Sequence, residues 1–129
     1  MVGMEQPTPE DALHRGRALV LADLAAGGEV AGPEEVSLLE EAVSHRRWWC
    51  EQWPAGAAFV TGLLAQDVQD ALLARRGRWP LCPLCAGGGP RDEPHALQVE
   101  PELGEDPHWV CEATGRVVAP VGALAGAGR

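Results

Sequence analysis

Three cysteines carry the chemistry this sequence is best equipped to do. Cys82-Pro83-Leu84-Cys85 presents two thiols from one tight turn, and Cys111 follows further along the chain. A tetrahedral zinc ion, with sulfur ligands at about 2.3 Å, needs such a close pair and two more ligands from elsewhere. The rival use of a Cys-x-x-Cys pair is thiol–disulfide exchange, in which the first thiol sits at a helix N-terminus that lowers its pKa. Ala86-Gly87-Gly88-Gly89-Pro90 follows the pair and cannot begin a helix, so metal binding is the stronger reading.

The motif has a familiar form. Zinc ribbons show C-P-x-C-G in a first knuckle and W-x-C-x-x-C-G in a second. Cys82-Pro83-Leu84-Cys85-Ala86 and Trp109-Val110-Cys111-Glu112-Ala113-Thr114-Gly115 resemble that pair over about a quarter of the chain. The resemblance implies a small β-hairpin module closed by Zn2+. It departs at Thr114, which stands where the pattern has its last cysteine. Either the fourth ligand comes from elsewhere or the ion is lost.

Two histidines compete for that place. A hairpin folded about Gly104 pairs positions that sum to about 208, which sets His95 opposite Ala113 and beside Thr114. His108 lies near the turn, and as a strand residue three before Cys111 it points to the opposite face, roughly 10 Å away. The expected set is Cys82, Cys85, Cys111 and His95, with His108 as the alternative fourth ligand. A water molecule in the fourth position would make the zinc catalytic, but the H-x-E signature of the zinc deaminases is absent. The ordinary role is structural, an ion holding a hairpin that has almost no core of its own.

A second concentration of chemistry lies upstream. His45 to Pro54 and Arg75 to Pro80 hold Arg46, Arg47, Trp48, Trp49, Trp53, Arg75, Arg76, Arg78 and Trp79, four of the five tryptophans and five of the ten arginines. Trp and Arg dominate binding hot spots because each joins a large contact area to a directional polar group. Trp48 or Trp49 can instead plug a helical core, with the arginines paired to nearby acids. Trp79 and Trp109 are expected to pack the ribbon against the helices. Cys50 reads as a small buried hydrophobe, and Asp67 with Asp70 as part of a solvated helix face.

These residues need elements to hold them. Thr8-Pro9-Glu10-Asp11 starts a first helix with a hydroxyl N-cap, proline at the first position and acids in the first turn. Leu13, Val20, Leu21 and Leu24 form its apolar face, and Gly27-Gly28 stop it. A second helix runs from Pro33 through Val36, Leu39 and Val43 toward Trp49 and breaks by Pro54. The third spans about 55–75, with Val60, Leu63, Leu64, Val68, Ala71 and Leu72 as its stripe and Gly77 as C-cap. Helical periodicity then vanishes. Extended runs are expected at His95 to Glu100, Trp109 to Cys111 and Val117 to Ala119, and the residues from Gly122 have little to pack against.

Composition bounds the function. With ten arginines and no lysine, Schiff-base chemistry and a Walker-type lysine are excluded. The net charge of −9 divides into −7 over residues 1–45, +3 over 46–91 and −5 over 92–129. That total disfavours wholesale phosphate-backbone binding, which rewards cationic surfaces. No run of about 18 apolar residues is present for a membrane helix, and the N-terminus lacks the basic and apolar regions of a signal peptide. The cytoplasm is the expected compartment, where thiols stay reduced.

The expected fold is α+β, with an N-terminal three-helix bundle (1–78), a zinc-ribbon-like β-hairpin module (79–121) and a flexible tail (122–129). Taken whole, the chain resembles small actinobacterial proteins without an assigned activity. It is read as a protein-interaction adaptor or regulator with structural zinc rather than an enzyme. Nucleic-acid binding through the Arg/Trp residues is the alternative.

Overall fold

The computed structural model describes residues 8–26, 30–85 and 95–127. Helix α1, Pro9–Leu24, opens on a reciprocal cap in which the Asp11 N–H donates to the Thr8 hydroxyl at 3.1 Å and the Thr8 N–H to the Asp11 carboxylate at 3.4 Å. Helix α2, Pro33–Gln52, starts where the Glu35 carboxylate reaches back to the Gly32 N–H at 3.2 Å. Pro54 ends α2. The residues expected to begin the third helix form a 3-10 turn instead, Pro54–Phe59, and α3 proper runs Val60–Arg75. The tighter turn seats Gly56 against the Trp49 and Trp53 rings, where an added Cβ would come within 2.5 Å of an indole carbon. Gly77, at φ +133°, follows α3. The expected Gly27-Gly28 stop and the 86–90 loop lie outside the described residues.

All three helices pack on one another. Leu13, Gly16, Val20 and Asp23 form the buried edge of α1; Leu39 and Val43 face them from α2, and Leu64, Val68 and Leu72 from α3. Gly16 permits the α1–α3 approach, since a Cβ there would stand 2.9 Å from the Leu64 side chain. Glu35 pairs with Arg76, tying the start of α2 to the end of α3.

The remaining elements make an antiparallel sheet in the order β1 (Gln98–Glu100), β2 (His108–Val110), β3 (Val117–Pro120). In the β1–β2 hairpin Gln98 faces Val110 and Glu100 faces His108, the register expected from a turn about Gly104. Between β2 and β3 the register slips by one residue, so Val117 points outward at 61% exposure and the bulge re-aims the strand. The inner face of the sheet, Val99, Trp109 and Ala119, is buried, and Val99 and Trp109 join the helical core with Leu97 and Val121. At about 25 cal/mol per Å², full burial of the Trp109 indole supplies on the order of 4 kcal/mol. The fold is thus the expected α+β arrangement of a helical bundle followed by a small β-module.

One contact pins the two parts together. Asp23, 1% exposed, accepts the Trp109 indole N–H at 2.7 Å and the backbone N–H groups of Gly122 and Leu124 at 2.6 and 3.0 Å. Three donors satisfy a carboxylate that would otherwise be costly to bury. The segment read from sequence as a loose tail is therefore anchored at its start and turns through a short 3-10 segment, Leu124–Gly126.

Candidate metal centre

Backbone pairing at two turns builds the site. Leu81 bridges Ala96: the Cys82 N–H donates to the His95 carbonyl at 2.9 Å and the Leu97 N–H to the Pro80 carbonyl at 2.8 Å. The first cysteine turn is thereby held against the segment that carries His95. The second turn closes where the Gly115 N–H donates to the Cys111 carbonyl at 2.8 Å and the Cys111 N–H to the Arg116 carbonyl at 2.9 Å. Gly115 sits at φ +75°, which glycine adopts without strain. Gln69 on α3 braces the first turn, donating to the carbonyls of Trp79 at 3.0 Å and Leu97 at 2.6 Å. Trp79 meets Trp109 edge to face, with ring centroids 5.5 Å apart.

These turns bring Cys82, Cys85, His95 and Cys111 together, with one ligand atom from each lying within 4.8 Å of all the others. The Cys85 and Cys111 sulfurs are 3.8 Å apart, and Cys111 Sγ is 3.6 Å from His95 Nε2. Cys82 and Cys111 are buried, Cys85 and His95 half-buried. The four side chains are close enough to coordinate a metal ion.

The electrostatics of the cluster are uneven. Cys111 is held at about 6, below its ordinary 9.0, first by a hydrogen bond from the Thr114 side chain and then, against the cost of burial, by His95 and the Thr114 and Ala113 backbone N–H groups. Cys85 is pushed up to about 11 by burial and by its neighbours Cys111 and Cys82. Thr114 thus occupies the position of the missing cysteine and serves Cys111 as a donor.

His108 is not part of the cluster. It lies in β2 opposite Glu100, and its Nδ1 donates to the Asp106 carbonyl at 2.9 Å. Cys50 is buried in the core and is not among the four clustered ligand residues.

The Arg/Trp residues divide. Arg46 makes a two-pronged contact with Asp67 at 2.7 and 2.8 Å, and its guanidinium lies 5.2 Å from the Trp49 ring centroid. Arg47 pairs with Glu10 at 2.7 Å, and Arg76 with Glu35. Trp49 packs on the core and on Trp53, and Trp79 packs against Trp109. Trp48 is 57% exposed beside His45, Trp53 is 44% exposed, and Arg75 and Arg78 are exposed. Asp67, expected on a solvated face, is engaged by Arg46.

Sequence reasoning missed Asp23. Its signal was present: Leu13, Gly16, Val20 and Asp23 recur at the spacing of one helix face.

The fold and the cluster define a class: a helical bundle bearing a β-module closed by a Cys3His set able to hold a metal ion. The chain belongs to the family described as "Domain of unknown function (DUF8819)", whose model matches residues 9–121. No curated protein and no solved structure matches it.

Proposed function

We propose that the protein is a small zinc-binding adaptor or regulator in which the ion is structural and a protein partner is bound at the surface. One observation carries the metal assignment. A tetrahedral zinc ion with sulfur at about 2.3 Å and nitrogen at about 2.0 Å requires sulfur–sulfur edges of about 3.8 Å and sulfur–nitrogen edges of about 3.5 Å. Two of the six edges of the cluster, Cys85–Cys111 and Cys111–His95, stand at 3.8 and 3.6 Å, and all six lie within 4.8 Å. Soft thiolates with one imidazole favour zinc over the hard cations.

A full set of four protein ligands leaves no position for substrate, which supports a structural role over a catalytic one. Exposed Trp48 and Trp53 support a binding role, as large apolar groups left on the surface. The pairing of Arg46, Arg47 and Arg76 with acids weighs against a nucleic-acid surface, because those charges are already compensated. Among the described residues no helix is long and apolar enough to cross a membrane. We place the protein in the cytoplasm, whose reducing conditions suit a thiolate site.

The test is metal analysis of protein purified without chelator, with X-ray absorption at the zinc edge. Zinc in a one-to-one ratio with a shell of three sulfurs and one nitrogen is expected. Metal-free protein with the 95–120 region still folded would overturn the assignment.

A further inference from the structure

The outer face of the sheet is unlike its buried inner face. Pro101, Gly115, Val117 and the buried Val110, 6% exposed, line a shallow depression of about 360 Å³ there together with Glu100 and His108. Val117 is largely exposed because the bulge between β2 and β3 turns it outward. On the adjoining turn Leu103 is 59% exposed, flanked by exposed Glu102, Glu105 and Asp106.

The charge around this face is one-sided. Of the five acids in residues 95–127, Glu100 lines the depression and Glu102, Glu105 and Asp106 lie on the adjoining turn, whereas Glu112 lines a separate hollow; the one arginine of the segment, Arg116, lies between Gly115 and Val117, so four acids stand against one cation here. Every ion pair among the described residues lies in the helical bundle, joining Arg17 to Glu40, Arg46 to Asp67, Arg47 to Glu10 and Arg76, just past α3, to Glu35. Four of the ten helical acids are paired with arginine in this way, and none of the acids at the depression or on its adjoining turn has a cationic partner among the described residues. An apolar depression beside uncompensated carboxylates complements a surface that is apolar and cationic.

We infer that the outer sheet face, Val110 and Val117 with the acidic 101–107 turn, docks a protein segment carrying aliphatic side chains beside Lys or Arg. This rests on the adaptor reading and names both the face and the chemistry of its partner. The carboxylates steer and orient the cationic segment, and the aliphatic side chains fill the depression.

The test is selection of displayed random peptides of about twelve residues on the zinc-loaded full chain, followed by fluorescence anisotropy of synthetic labelled peptides. Enriched peptides are expected to be cationic with aliphatic residues and to bind less tightly as salt rises. Val117→Lys and the pair Glu102→Lys, Glu105→Lys should each weaken binding about tenfold or more, and Trp48→Ala by less than about twofold. Unchanged zinc content and near-ultraviolet circular dichroism in each variant show that the fold is retained. Acidic peptides, or peptides whose binding follows Trp48 and ignores Val117, overturn the proposed face and leave the adaptor reading standing. Self-association abolished by Val117→Lys, seen by sedimentation, replaces the cationic partner with a second copy and also overturns it. Failure to enrich any peptide overturns the proposed face alone, since the adaptor reading draws its support from Trp48 and Trp53.

Discussion

The Asp23 carboxylate on α1 accepts the indole N–H of Trp109 at 2.7 Å, two residues before the metal-site cysteine Cys111. That bond joins the bundle to the strand that leads into the cluster, so the packing of the helices bears on the placement of Cys111.

Asp23→Ala should therefore cost more than an ordinary surface change. It strands the indole N–H and the backbone N–H groups of Gly122 and Leu124, and hydrogen bonds to a charged acceptor are worth about 1.5–3 kcal/mol each before relaxation. A loss of about 3 kcal/mol or more is expected in urea unfolding, with a red shift of tryptophan emission. A loss below about 1 kcal/mol would mean that water replaces the carboxylate easily.

The same residue sets a pH dependence of definite sign. Burial holds the Asp23 carboxyl above its ordinary 3.8, outweighing the three donors that pull it down. A raised carboxyl pKa penalises the folded state as pH climbs from that ordinary value through the folded one, and the penalty vanishes below it. Glu10 has the opposite sign: the hydrogen bond from Arg47 lowers it, so its contribution is present above its ordinary 4.5 and lost as pH falls through the folded value. Relative to the parent, stability of Asp23→Asn should rise with pH above 3.8, whereas Glu10→Gln should show a flatter acid limb. Urea unfolding in zinc-containing buffer across pH checks both, since thiol protonation is common to parent and variant. A constant difference between Asp23→Asn and parent would contradict the assigned shift.

The ligand set separates variants that sequence position alone would not. Cys82→Ser and His95→Ala should lower zinc affinity by at least about 100-fold, whereas His108→Ala and Cys50→Ser should keep full occupancy in competition with a chromogenic chelator. Cys50→Ser should instead lose about 1 kcal/mol of stability, as a buried thiol exchanged for a hydroxyl. Equal affinity loss in His95→Ala and His108→Ala would argue for a shared or shifted fourth position.

Removing the ion with a strong chelator should release the cysteine turns first. The near-ultraviolet signal of Trp79 and Trp109, which meet edge to face beside the site, is expected to fall, while the far-ultraviolet helical signal changes little. An unchanged aromatic spectrum in metal-free protein would mean that packing alone holds the module.

Gly16→Ala tests the helical seam. Alanine is the better helix former by about 1 kcal/mol, yet its Cβ would meet Leu64 Cδ1 at 2.9 Å and the Thr61 hydroxyl at 3.1 Å. Net destabilisation is expected in thermal melting, and a higher Tm would show that Leu64 moves aside freely.

Much of this was readable from residue order, for reasons that are local. The Thr8 cap, the Pro33 start and the Gly77 stop each depend on a few adjacent residues, and each appears where chain chemistry puts it. The hairpin register followed from a single turn position, and with it the approach of His95 to Cys111. The 3-10 turn over Pro54–Phe59 was not readable, because it depends on the Trp49 and Trp53 rings closing over Gly56. Nor was the partitioning of the arginines: which acid meets Arg46 or Arg47 is decided by helix packing across 21 and 37 residues. Asp23 was the hardest, since an acid on an apolar stripe becomes sensible only when its three donors arrive from elsewhere in the fold.

That last dependence reaches into the order of events at the ribosome. The carboxylate is translated 101 residues ahead of the amide of Leu124. Until that amide is made, Asp23 lacks the donors that satisfy it in the fold, and burying that edge of α1 costs more. Helix α1 and the 121–126 segment are thus coupled in folding, since each leaves polar groups of the other unanswered until both are in place.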